Sequence, residues 1–170
     1  LEAEPYSTIL SFQVTFFPLT TETIVGLVIL VILIAASALI SGSEVAFFSL
    51  KPNNIKKLRH SNSRISKVII KLIGQPKRLL GTILVSNNFV NVGIVILSSY
   101  LTLSIVDFSM DPIWGFIIQV ILITFLLLLF GEIIPKIYAT HNYLGFARFM
   151  SLPLFFLSKV FAPISQFLIY

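Results

Sequence analysis

The chain has 170 residues, 56% of them apolar and only 11% charged, against roughly 25% charged in a soluble domain. That balance excludes an ordinary soluble globule and points to one integral membrane domain over 1–170. The net charge is +5 and there is no cysteine, so disulfides, thiolate catalysis and zinc–sulfur centres are excluded.

Residue 1 is leucine, so the natural start is expected to lie upstream. The first twenty residues lack the basic flank of a signal peptide. Residues 9–19 read instead as an interfacial segment, with Phe12, Phe16 and Phe17 on its apolar side. The first strong span is 23–43, 21 residues without a charge, in a helix expected over about 21–49. Its run Ala35-Ala36-Ser37-Ala38 is rich in small side chains, which let helices approach closely in lipid. It leads into Ser41-Gly42-Ser43-Glu44, where glycine between serines predicts a local helix break.

Residues 51–78 hold nine of the chain's twelve basic residues and no acid. Within them Ile65, Val68, Ile69, Leu72 and Ile73 fall at helical spacing, so an amphipathic helix lying on an anionic membrane face is expected. Membrane spans flank this cluster on both sides, which argues against nucleic acid as its partner. The second span, 79–105, contains Ser86-Asn87-Asn88-Phe89-Val90-Asn91. Asn87 and Asn91 are four apart and share one helix face, while Asn88 points about 100° away. The third span is expected over 112–138. Its charge-free stretch 113–131 is followed by Glu132, Pro135 and Lys136. Beyond it, Arg148, Pro153, Lys159 and Pro163 interrupt the apolar pattern, so 142–170 are expected to form broken or interfacial helices. His60 and His141 read as surface histidines. The fold class is all-α: three transmembrane helices per subunit with juxtamembrane amphipathic helices.

By the positive-inside rule the 51–78 loop and the C-terminus are cytoplasmic and the N-terminus is outside. Glu44 and Glu132 then lie at the inner ends of spans one and three. A carboxylate inside a membrane is costly and marks a functional site by default. Pro135 withholds an N–H and crowds the carbonyl of Gly131. Oxygens from Asn87, Asn91, Glu132 and Ser43, with backbone carbonyls near Ser41, Gly42 and Gly131, can make an all-oxygen cage suited to magnesium. No histidine, cysteine or thioether joins it, which argues against zinc, copper or iron. Glu44, Asn88, Pro135 and Lys136 are expected to support the site. Plainer roles stand beside these. Glu132 and Lys136 can form an i, i+4 ion pair, the asparagines can bond helix to helix, and Ser41-Gly42-Ser43 can be a packing notch. Glu44 can pair with Lys51 or Lys136. No nucleophile–base arrangement appears in the spans, so an enzyme is not expected.

The Ser-Gly-Ser-Glu motif at 41–44, the Gln75-Pro76-Lys77-Arg78 linker end, Asn87-Asn88-Phe89-Val90-Asn91 and Gly131-Glu132-Ile133-Ile134-Pro135-Lys136 together resemble the membrane domain of the CorC/cyclin M (CNNM) magnesium transporters. The match runs over about 28–139 in order and spacing. The resemblance implies a homodimer in the cell membrane, the prokaryotic inner membrane in particular. It implies magnesium efflux coupled to sodium influx, with Ser43, Asn87, Asn91 and Glu132 as the magnesium ligands. It also implies cytoplasmic CBS domains, absent from this sequence, so the chain is expected to be the membrane domain of a longer protein. Members named for haemolysin or gliding-motility roles leave an alternative: a non-transporting anchor or assembly subunit of a larger complex.

Overall fold

The computed structural model describes residues 15–107 and 112–162. Most of the interfacial segment expected at 9–19 lies outside them, as do 108–111 and 163–170.

The helix α1 (Thr21–Phe48) starts at Thr20, whose hydroxyl accepts the Thr23 N–H at 3.3 Å. Glu22 sits in the first turn, where a carboxylate complements the helix dipole. The helix continues unbroken through Ser41-Gly42-Ser43-Glu44, so the break expected there is absent. Glycine costs a helix about 1 kcal/mol relative to alanine, but here the missing side chain makes room. A Cβ on Gly42 would stand 2.7 Å from the Phe146 ring and 3.2 Å from the Pro135 carbonyl oxygen. At Gly42 the motif forms a packing notch.

Two short basic helices follow, α2 (Pro52–His60) and α3 (Arg64–Ile73). Lys57, Arg59 and His60 lie in the last turn of α2, the end where cations are favoured. The apolar stripe of α3 is spent on the protein. Ile69 and Leu72 are buried, and the helix packs on α7. The second long helix, α4 (Pro76–Ile105), begins at a proline in its first turn, where no N–H is needed.

Beyond α4, Val106–Asp107 pairs antiparallel with Thr15–Phe16, two residues on each side. The chain re-enters as α5 (Pro112–Leu126), widens into a π-helical segment at Leu127–Ile133, and continues as α6 (Ile134–His141). The widening has a local cause. The Ile134 N–H reaches back five residues to the Leu129 carbonyl, and Pro135 offers no N–H to the carbonyls of Phe130 or Gly131.

The last helix, α7 (Tyr143–Val160), is one continuous helix with Pro153 inside it. Broken or interfacial helices were expected here because Arg148, Pro153, Lys159 and Pro163 interrupt the apolar pattern; the break is absent, although a mid-helix proline costs about 3 kcal/mol or more. Two features offset that cost. Pro153 faces outward, and a stripe on either side of it, Phe146, Ala147, Met150 and Leu154, is buried.

At the centre lies α1, packed against α4, α6, α7 and the π segment. The core gathers at one end of the bundle, around Phe47, Leu50, Leu58, Ile69, Leu79 and Met150. Ala46, Ala139 and Ala147 have no exposed surface. In lipid, where apolar burial drives little, such small residues let backbones meet and gain dispersion energy. Three helical stretches, Thr21–Phe48, Pro76–Ile105 and Ile113–His141, are long and apolar enough to cross a membrane. The third is almost bare, with 6% of its most apolar window buried. The protein is an all-α, multi-pass membrane protein.

Candidate ion-binding site

The polar groups of the spans converge where α1, α4 and the π segment meet. Asn87 and Asn91 lie one turn apart on α4, on the side that faces α1. Between them sits Ser37 of α1, with no exposed surface. Its hydroxyl lies 2.7 Å from the Asn91 Oδ1 and 3.2 Å from the Asn87 Oδ1. Asn91 also donates from Nδ2 to Glu132 Oε1 at 3.4 Å. Glu132 is half-buried, and it follows Gly131, which is fully packed. A Cβ on Gly131 would meet the Ser37 Oγ at 3.2 Å, so the absent side chain brings the π segment against α1.

Oxygens thus stand 2.7–3.2 Å apart around Ser37. Ligands held about 2.1 Å from a magnesium ion stand about 3.0 Å apart along an octahedron's edge. Among the described residues no three carboxylate or imidazole side chains gather. The cluster has one carboxylate and otherwise neutral oxygens, so its charge is low and its donors are hard.

The other sequence-derived residues fall around this centre in different ways. Ser43 has no exposed surface, and its hydroxyl donates to the Leu39 carbonyl of its own helix at 2.6 Å. Six residues beyond Ser37, it projects about 240° further round α1, away from the asparagines. Ser41 lines a small cavity of about 40 Å³ with Glu44, Leu80, Ile83, Leu84 and Asn87. Its buried Oγ has no hydrogen-bond partner. Glu44 pairs with Lys136 at 3.2 Å, both side chains about 40% exposed. Lys136 therefore answers Glu44 rather than Glu132. Asn88 is exposed. Gly42 and Pro135 meet each other across the α1–α6 contact.

Ser37, Ser41 and Glu44 form one stripe of α1 (i, i+4, i+7), leading from the ion pair to the asparagines. Sequence reasoning noted Ser37 only as a small residue. The signal available was this spacing, which puts it on the face that carries Ser41 and Glu44.

A three-span helical bundle with a polar centre of hydrogen-bonded serine, asparagine and glutamate side chains defines a multi-pass membrane protein. The chain belongs to the cyclin M transmembrane N-terminal domain family, whose model matches residues 28–170. It is similar to a UPF0053 protein of Haemophilus influenzae, 32% identical over 81% of this chain and 31% of that protein. The UPF0053 inner membrane protein YfjD of Escherichia coli is 34% identical over 59% of this chain and 22% of its own length. The metal transporter cnnm-4 of Caenorhabditis elegans is 30% identical over 81% of this chain and 29% of its own. The chain spans under a third of the length of each of these relatives.

Proposed function

We propose that the chain is the membrane domain of a magnesium transporter that moves the ion outward, driven by sodium influx, as a homodimer in a prokaryotic inner membrane. Magnesium is the cargo. Asn87, Asn91 and Glu132 supply side-chain oxygens to it. Ser37 supplies a hydroxyl, in the place the family resemblance gives to Ser43. Gly131, packed on Ser37, and Ser41, which lines a cavity with Asn87, are candidates to add backbone or hydroxyl oxygens. The observation that carries the reading is the convergence of the Ser37, Asn87 and Asn91 side-chain oxygens, hydrogen-bonded at 2.7–3.2 Å, beside the half-buried Glu132 carboxylate.

The stripe from Glu44 through Ser41 to Asn87 gives the ion its approach. Glu44 attracts the cation at the mouth, and Lys136 holds Glu44 when no cation is there. A single carboxylate with neutral dipoles binds a divalent ion moderately, which lets a carrier release it. Nine basic residues in 51–78 favour placing that loop, and the mouth with it, in the cytoplasm.

The test is magnesium binding to the purified chain by calorimetry and by its melting temperature. Magnesium is expected to stabilise the protein. Glu132→Gln and Asn91→Leu are expected to weaken affinity at least tenfold, about 1.4 kcal/mol. Binding unchanged in both variants would overturn the assignment. A protein indifferent to magnesium altogether would favour the anchor or assembly role, in which the asparagines only join helices.

A further inference from the structure

A second cleft, largely apolar in its lining but ringed by cations, lies outside the ion-binding cluster, between α3, α4 and α7. It has a volume of about 150 Å³, and Lys71, Gln75, Arg78, Phe155, Ser158 and Lys159 contribute to its walls. Three cations therefore converge with no acid among the lining residues. Lys71 and Lys159 both sit over the Phe155 ring, their Nζ atoms 5.1 and 4.8 Å from its centroid. Those distances put the two ammoniums within about 10 Å of each other, about one Debye length at 0.1 M salt. The ring lends each some attraction through its π face but neutralises neither.

Arg78 is held still beside them. One guanidinium nitrogen, Nη2, donates to the Ser158 carbonyl at 3.2 Å, and Nη1 reaches Gln75 Oε1 at 3.5 Å. Its Nε–H is buried and has no acceptor. Among the described residues the ion pair within 4 Å is Glu44 with Lys136, not one made by this trio. Three cations gathered around one cleft, with a buried donor left unanswered, describe half of a binding site. The missing half is an anion with several acceptor oxygens. Arginine and lysine around one cleft fit phosphate best, since the guanidinium presents donors in a fork and the ammoniums supply point charge.

We propose that this cleft binds an anionic phosphate group. The cleft opens at the start of α4, where a membrane span begins, and this is the depth of lipid headgroups on whichever side it lies. Phe155 and Leu72 add apolar wall beside the cations, as a glycerophosphate carrying acyl chains needs. The phosphate would tie α3 and α7 to the base of α4 and neutralise the trio.

The experiment titrates the purified chain in neutral detergent with phosphatidylglycerol, phosphatidylcholine or inorganic phosphate. Native mass spectrometry counts bound lipid, and the melting temperature reports stabilisation. Phosphatidylglycerol is expected to remain bound and raise the melting temperature, and phosphatidylcholine is not. Lys71→Gln with Lys159→Gln is expected to weaken that binding at least tenfold. Both lysines are exposed, so the double variant should fold, and its melting temperature without lipid checks this. Lys56→Gln with Lys67→Gln removes equal charge elsewhere and should bind as the wild type does. Inorganic phosphate matching the lipid at equal concentration, with the same loss in the Lys71 and Lys159 variant, would support the site and make its ligand a soluble phosphate. Equal retention of phosphatidylcholine, or equal loss in both double variants, would overturn the proposal.

Discussion

Ser37 has one proton to give and two amide oxygens within reach. The shorter contact, 2.7 Å to Asn91, takes it, and Asn87 at 3.2 Å is left with spare acceptor capacity. A cation at this point would take the place of these hydrogen bonds: Ser37 would keep its proton, turned aside, and offer a lone pair beside the two amide oxygens. Ser43, equally buried, has already spent its hydroxyl on Leu39. The two serines therefore separate cleanly by experiment. Ser37→Ala is expected to lower magnesium affinity about tenfold, or about 1.4 kcal/mol, while Ser43→Ala leaves it within twofold. Calorimetry on the two variants decides, and the reverse outcome would return the ligand role to Ser43. The difference between them was not legible in the sequence. A serine in a lipid-embedded helix can satisfy itself on a carbonyl three or four residues back, so its letter says nothing about its partner. Asn87, Asn91 and Glu132 were legible because an amide or carboxylate in hydrocarbon has no such cheap local partner.

At the scale of elements, Gly42 and Pro135 act together. The proline removes a donor from the third span, and the helix takes up a wide turn over Leu127–Ile133. The glycine lets α1 pass within contact of the Pro135 carbonyl and the Phe146 ring. Gly42→Ala should push both away and cost about 1–3 kcal/mol, as overpacking does. Adding Phe146→Leu should recover part of that loss, because the ring makes the nearest contact, at 2.7 Å. Thermal unfolding of the two single variants and the double measures the coupling, and strict additivity would remove the ring from the explanation. The three long helices were readable from charge-free runs, since nothing else explains 28 residues at 79–106 without a charge. What runs of letters hid was tertiary. The expected break at Gly42 assumed an isolated helix, and the expected breaks near Pro153 ignored the buried stripe that Phe146, Met150 and Leu154 lay against the bundle. Pro135 signalled a missing donor in the third span, but not that the helix would answer it with a wide turn over Leu127–Ile133.

For the whole molecule, orientation in the membrane decides the mechanism, because the proposed path from Glu44 inward takes its direction from the side on which Glu44 lies. Charge gives the physical ground. Residues 51–78 carry nine cations and no acid, and each cation resists transfer across the bilayer during insertion. Thr20, at the opposite end of α1 from Lys51, has no such anchor. The chain contains no cysteine, so a single introduced thiol can be labelled without background. A thiol at Lys56, an exposed position on α2, should react with a membrane-impermeant maleimide only in inside-out vesicles. A thiol at Thr20 should react only from the outer face of intact cells. Swapped labelling would turn the bundle over. Glu44 and its partner Lys136 would then open toward the outside, and outward transport would have to begin at the other end of α1. Labelling of both positions from the same side would be incompatible with a 28-residue apolar helix crossing the membrane between them.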